Sequence, residues 1–264
     1  MPLSKSPAPP SNSHLTHYKT LGLLITLYLA QGLPAGFITQ ALPAILREYN
    51  VSLVAIGWSG LILVPWGLKF LWATVVDGYY SQKIGRAKSW ILPMQGLSIV
   101  ILIAVAFFEP HNLAQTRSVM TLYGMLFTLS LIGATHDVAT DGLATRLLKA
   151  AMAPKEPLTH DMPAPDSVTQ TPNHHHRQSQ GNAVQVIGYR LGLIVGGGVL
   201  LMLLEQWGWR NSFLAMAALV AMNTVPIVFF KEHTHTSVIP SKKQVETAKS
   251  GSFKALKNYL SHHY

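Results

Sequence analysis

Long apolar segments separated by short polar stretches dominate the hydropathy pattern of the chain. A helix needs about 20 apolar residues, at a rise of about 1.5 Å each, to cross a bilayer. The backbone finds no water inside hydrocarbon, so a spanning segment must be a helix or belong to a closed barrel. The segments are long and lack period-two alternation, and we therefore predict an all-α integral membrane protein with six transmembrane helices in a 3 + 3 pattern. The predicted helices are 20–45, 53–76, 90–108, 119–140, 183–204 and 211–230.

The polar stretches predict how the chain is divided. Residues 1–19 form a Pro/Ser-rich tail, and the first helix after it is too long and too late to be a cleaved signal, so we expect it to be retained. Helices 1–4 occupy 20–148 and helices 5 and 6 occupy 183–230. Residues 149–182 are rich in Pro, Ser, Thr and Gln and predict a disordered tether. Residues 231–264 are again polar and form a tail.

Composition agrees with a membrane protein and fixes its orientation. Only 12% of the residues are charged, against roughly a quarter in soluble proteins. The net charge of +9 could indicate a nucleic-acid partner. With a cytoplasmic N-terminus, however, fifteen of the 20 Lys and Arg residues fall in inside segments and three in outside loops, as the positive-inside rule requires. We therefore predict a multi-pass inner (plasma) membrane protein with a lipid partner and no nucleic acid.

Four charged residues lie within or at the end of the apolar helices. Lys69, Asp137 and Arg190 come from helices 2, 4 and 5, and counting the rise places all three in the cytoplasmic half of the membrane. Ions are costly there and mark functional sites unless they are paired. We predict that the three meet in a wet pocket open to the cytoplasm. Asp141 shares a helix face with Asp137, so one carboxylate could pair while the other exchanges a proton. The alternative is simple pairing without a transport role.

Several segments of the sequence resemble conserved segments of the major facilitator superfamily. The segment VVDGYYSQKIGRAKSW is similar to the signature between helices 2 and 3 of that superfamily, although it is longer between Asp77 and Gly85 than usual. Four further blocks resemble the AmpG-like muropeptide-permease branch, which includes siderophore permeases, and the similarity covers about 15–235. These blocks are QGLPAGFITQALPAILREYNVSLVAIGW, LVPWGLKFLWATVVD, THDVATDGLATRLL and GNAVQVIGYRLGLIVGGG.

The resemblance implies a secondary active transporter, a proton symporter that imports a bulky polar solute such as a muropeptide or a siderophore. It assigns Asp77, Gly85, Arg86 and Lys88 to a cytoplasmic gate that closes against a second six-helix half. Such folds place the solute site between two halves. Because the chain stops at Tyr264, we expect either a truncated permease, which we favour, or a unit that pairs with a second six-helix protein.

Neutral polar residues in the helices are the candidate solute contacts. We assign this role to Gln31, Gln185 and His136, while hydrogen bonding between helices is the alternative. Gln40 and Gln95 belong to the same class. The run His174–His176 could bind a metal, but such a run in a polar linker is usually only solvated. We predict no metal site and no cofactor.

Two other functional classes stay open at this point. The first is a half-permease that binds or regulates without transporting, or an inert remnant. The second is a membrane-embedded enzyme. The sequence has no HExxH segment and no Gly-rich phosphate loop, and the chain lacks cysteine. We therefore predict a transporter of small solutes and protons and no enzyme.

Overall fold

The computed structural model describes residues 13–108, 110, 113, 115–152, 172–230 and 232. These residues are largely helical and contain no strand, so the predicted all-α class is confirmed. Short π-helical segments, Phe37–Ala41 and Val195–Val199, and a 3-10 segment, Ser59–Leu63, join some of the helices without a turn. The α-helices α1 to α9 are Ser13–Gly36, Leu42–Glu48, Leu53–Trp58, Val64–Leu68, Phe70–Gly78, Lys88–Ala106, Thr116–Met152, Pro172–Ile194 and Leu200–Phe229.

Five helical runs of the described residues are long and apolar enough to cross a membrane, if one bent run counts as a single crossing. The run Gly181–Phe229 has 49 residues, more than twice the roughly 20 that one crossing needs. Its Gly208 leaves the helical region at φ 73° and ψ 172°, which divides the run in two. The six spans so defined, numbered 1 to 6, are Tyr18–Glu48, Leu53–Gly78, Lys88–Ala106, Thr116–Leu148, 181–207 and 209–229.

Span 2 is bent by 45° between α4 and α5. Lys69 stands at the break, between the end of α4 at Leu68 and the start of α5 at Phe70. Pro65 of this span lies in the first turn of α4, where a missing N–H costs little. The bend therefore centres on the only charged residue of the apolar part of span 2.

Spans 1 and 5 pack with their backbones almost touching. A Cβ atom added at Gly192 would collide with the carbonyl oxygen of Leu29 and the backbone of Gly32. One added at Gly196 would collide with the backbone of Leu33. The glycines are therefore needed for close approach, which is the packing role expected of small residues in membrane helices.

The largest core cluster contains buried residues of all six spans. Phe37 packs edge-on against Phe213 with ring centroids 5.0 Å apart, and Trp209 lies 4.6 Å from the same ring. The indole N–H of Trp209 donates to the carbonyl oxygen of Val105 at 2.7 Å. These contacts fix the start of span 6, directly after the break at Gly208, against spans 1 and 3.

Helices enter the predicted tether from both sides. Helix α7 continues to Met152 and α8 begins at Pro172, so helical structure covers both ends of the 149–182 segment. Residues 153–171 lie outside the described part of the chain, as does most of 231–264. The described helices place four spans before the tether and two after it.

Candidate functional site

The centre of the candidate site is an ion pair between spans 2 and 4. The Nζ atom of Lys69 bonds to Oδ2 of Asp137. The Asp137 side chain is 8% exposed, whereas that of Lys69 is 35% exposed. Lys69 stands at the bend in span 2. From this position its ammonium group reaches Asp137 on span 4. Of Lys69 and Arg190, the two cations that the sequence places at a depth similar to that of Asp137, Lys69 is the one that contacts it.

A second carboxylate and a tyrosine complete this group. Oδ2 of Asp141 lies 3.7 Å from Nζ of Lys69, and the Asp141 side chain is 50% exposed. The buried Tyr28 of span 1 donates its hydroxyl hydrogen to Oδ1 of Asp141 at 2.6 Å. We call Tyr28, Lys69, Asp137 and Asp141 the charge cluster. With Lys69 charged and both carboxylates ionised, its formal net charge is −1, so it can accept one further proton or cation.

The structure does not bring Arg190 into the charge cluster. Arg190 is exposed and makes no ion pair with a carboxylate of the described residues. Its neighbour Tyr189 packs against the small core group that contains Tyr28 and Ala144. Successive residues of a helix are rotated by about 100°, so the position next to an inward-facing residue turns away. The depth of Arg190 along span 5 could be predicted from the sequence. The side of the helix on which Arg190 lies could not, because it depends on how span 5 is rotated about its own axis.

The three candidate solute contacts fall into two places. Gln31 and His136 are both buried, and Nε2 of Gln31 lies 3.3 Å from Nδ1 of His136. They line a small cavity together with Gln95, Ser98 and Ser130. Gln185 lies instead beside the Tyr28 hydroxyl, next to the charge cluster. One group is therefore neutral and buried, and the other is charged and partly exposed.

The residues of the predicted cytoplasmic gate cluster at the end of span 2. Nη2 of Arg86 lies 3.2 Å from Oδ1 of Asp77. Gly85 has φ +113°, a left-handed conformation that favours glycine. The Nζ atom of Lys88 donates to the carbonyl oxygens of Val228 at 2.8 Å and Phe230 at 3.0 Å. The loop between spans 2 and 3 is thereby attached to the end of span 6.

Glu232 is a further member of this gate region that the sequence did not indicate. Its carboxylate accepts hydrogen bonds from the backbone N–H of Ala87, at 3.0 and 3.2 Å, and of Lys88, at 3.3 Å. It also receives Nη2 of Arg146 at 3.1 Å. A carboxylate at the start of a helix satisfies free N–H groups and is favoured by the helix dipole. It is one of two acids in a basic tail, the other being Glu246, so its sequence context did not single it out.

No group of three or more potential metal-binding side chains occurs among the described residues. The side chains of His174–His176, and residues His233 and His235, lie outside them. The charge cluster combines an ammonium group, two carboxylates and a phenol. Such a set can exchange a proton or bind a polar solute.

Comparison with known proteins supports a membrane transporter. The family model described as acetyl-coenzyme A transporter 1 matches residues 20–154, just over half of the chain. The anhydromuropeptide permease of Escherichia coli K12 is 28% identical over 227 residues, which are 86% of this chain and 40% of that protein. An uncharacterized protein of Haemophilus influenzae is 27% identical over 206 residues, 77% of this chain and 41% of the relative.

The chain thus spans about 40% of the length of these two relatives. The resemblance inferred from the sequence blocks is confirmed, and the apolar spans agree with a multi-pass membrane protein. The chain belongs to the acetyl-coenzyme A transporter 1 family and is a homologue of the anhydromuropeptide permease, a membrane transporter of the major facilitator superfamily.

Proposed function

We propose that this chain provides the first six spans of a proton-driven symporter that imports a bulky polar solute across the inner membrane. The relative that matches 86% of the chain is named an anhydromuropeptide permease, so a muropeptide is our first candidate solute and a siderophore the second. The chain spans 40% of that relative. We therefore propose that a second six-helix unit provides the other wall of the solute path.

The charge balance of the charge cluster is the observation that carries the proton-coupling proposal. One ammonium group, Lys69, lies between two carboxylates, bonded to Asp137 and 3.7 Å from Asp141. Protonation of Asp137 would remove its attraction for Lys69, and the ammonium would then pair with Asp141. A small movement of one side chain at the bend of span 2 would thus follow the uptake of one proton.

The accessibility of the two carboxylates suggests different tasks. Asp137 is 8% exposed and suits a site that holds a proton away from bulk water. Asp141 is 50% exposed and is hydrogen-bonded by Tyr28, which suits a group that meets the solute or the entering proton. Gln185 beside Tyr28 and the exposed Arg190 on the same span are proposed to face the solute path.

At the cytoplasmic end, we propose that Asp77, Gly85, Arg86 and Lys88 form the gate. The contacts of Arg86 with Asp77, and of Lys88 with the end of span 6, support this role. In this scheme the gate holds the N-terminal spans together while the path opens on the other side, with the N-terminus in the cytoplasm.

Uptake into proteoliposomes tests the proposed function. The full 264-residue chain is reconstituted, and accumulation of labelled anhydromuropeptide is measured with and without an imposed pH gradient. A parallel panel contains a ferric siderophore and acetyl-coenzyme A, the solute in the name of the matching family. Gradient-dependent accumulation supports symport. Binding without accumulation supports the alternative, a half-permease that only binds or regulates. If neither binding nor accumulation is observed, the result supports an inert remnant of a permease.

A further inference from the structure

The cavity beside the charge cluster contains an unusual number of polar atoms without partners. It is lined from span 1 by Gln31, from span 3 by Gln95 and from span 4 by Ser130 and His136. Each of these four side chains is buried, with at most 4% of its surface exposed. The five atoms without a hydrogen-bond partner are Gln31 Oε1, Gln95 Nε2, Gln95 Oε1, Ser130 Oγ and His136 Nε2.

The geometry of spans 1 and 4 explains why these polar side chains meet at one cavity. Ser130, Gly133 and His136 follow at three-residue spacing and share one face of span 4. Pro34 of span 1 also lines the cavity and has no N–H for the carbonyl of Ala30, four residues earlier, which lines it as well. The backbone hydrogen-bond ladder of span 1 is thus interrupted at the same cavity.

Five such atoms would be expensive in a dry cavity. An unpartnered buried polar group destabilises the folded state, and native proteins keep few of them. The set mixes donors and acceptors and carries no fixed charge, so it suits neither an anion nor a metal ion. A ligand that both donates and accepts hydrogen bonds satisfies it. The small cavity admits water rather than a bulky solute.

We propose that Gln31, Gln95, Ser130 and His136 bind ordered internal water at the Pro34 break of span 1. A buried water makes about three hydrogen bonds, so about two waters serve the five atoms. This water joins spans 1, 3 and 4 through hydrogen bonds, and the site is separate from the charge cluster, whose residues do not line the cavity. The inference does not depend on which solute is carried.

Hydroxyl-radical footprinting of the full chain in solute-free nanodiscs tests the site. Radicals generated from internal water oxidise neighbouring side chains that bulk water does not reach. Leu129 lines the cavity, whereas Leu126, on the same span, does not, and both are fully buried. We expect oxidation of Leu129 and His136 several-fold above that of Leu126. Equal, background labelling of all three, or labelling only when solute is added, would overturn the proposal.

The direction of a stability change gives an independent test. In a hydrated cavity, Ser130→Ala and Gln95→Met each remove hydrogen bonds to water, and the unfolding midpoint falls. In a dry cavity the same changes remove unpartnered polar atoms, and the midpoint rises. Ser98→Ala is the matched control, because Ser98 lines the cavity but its hydroxyl is not among the unpartnered atoms. A rise in midpoint for both variants would contradict bound water.

Discussion

Tyr28 and Asp141 are joined by a hydrogen bond of 2.6 Å although 113 positions separate them in the chain. The bond links span 1 to span 4 beside the point where Lys69 of span 2 meets both carboxylates. A phenol hydrogen donated to a carboxylate is a charge-assisted bond, stronger than one between neutral groups. Three spans are therefore held together by polar contacts at one level.

Tyr28→Phe removes this bond and the contact of the hydroxyl with Gln185. We expect a loss of about 1 kcal/mol of unfolding free energy, at the lower end for bonds to charged groups because Asp141 is half exposed. The change is measured by thermal unfolding in detergent. Tyr189→Phe is the control, since Tyr189 packs in the same group and its hydroxyl makes no hydrogen bond to the residues that the structure describes. Equal losses for the two variants would argue against the bond.

Lys69→Gln should destabilise the protein because it leaves Asp137 buried without its cation. Breaking a buried pair costs about 3–5 kcal/mol, and we expect about 1–3 kcal/mol here because Lys69 is 35% exposed. The double variant Lys69→Gln with Asp137→Asn should recover most of the loss, since no uncompensated charge remains. A double-mutant cycle of unfolding free energies checks this, and additive losses would contradict the pairing.

Asp137→Asn separates proton coupling from simple pairing. The amide cannot take up a proton, so in the proposed mechanism the variant loses solute accumulation driven by an imposed pH gradient. Exchange of solute between the two sides without a gradient should persist. Uptake into proteoliposomes is measured with an imposed pH gradient, and solute exchange is measured by counterflow without a gradient. A variant that still accumulates solute in response to the pH gradient would exclude Asp137 as the coupling group.

The number and order of the spans could be predicted because lipid imposes a length and a polarity on each of them. The pairing of Lys69 with Asp137 could be predicted because depth is counted residue by residue along a helix. The isolation of Arg190 could not, since it depends on the rotation of span 5 about its axis. That rotation follows from the glycine contacts of Gly192 and Gly196 with span 1.

Two partners of the predicted residues left no clear signal in the sequence. Tyr28 stands in an apolar run, where a tyrosine resembles a core residue until its hydroxyl partner is known. Glu232 lies in a polar tail, and its contacts with Ala87 and Arg146 bridge 145 and 86 positions. Contacts across such separations depend on how the spans pack, which hydropathy along one segment does not reveal.

Gly192→Ala tests the close approach of spans 1 and 5. The added methyl group would collide with the backbone at Leu29 and Gly32, where no side chain can move aside. We expect a loss of about 1–3 kcal/mol, as for overpacking of a core. Gly198→Ala is the matched control on the same glycine run, because a Cβ there meets nothing within 4 Å. Unfolding in detergent measures both, and an equal effect would contradict the tight contact.

Glu232→Gln tests the attachment of span 6 to the gate region. The amide oxygen can still accept one backbone N–H, but the charge that attracts Arg146 and the start of α6 is lost. Charges at helix ends contribute about 0.3–1 kcal/mol, and we expect a loss of about 1 kcal/mol for both effects together. The Arg146 side chain is 36% exposed whereas that of Glu232 is 8% exposed, so only the part of the loss that comes from this ion pair should shrink at high salt.

The matched control for this change is Glu205→Gln, which removes the same charge from an exposed residue of span 5. Thermal unfolding in detergent at low and high salt compares the two variants. The Glu232 variant should also show faster backbone hydrogen exchange at Ala87 and Lys88, whose N–H groups lose their carboxylate acceptor. Unchanged exchange at these two amides would mean that Glu232 does not cap α6, and span 6 would then be attached to the gate through the bonds of Lys88 to Val228 and Phe230.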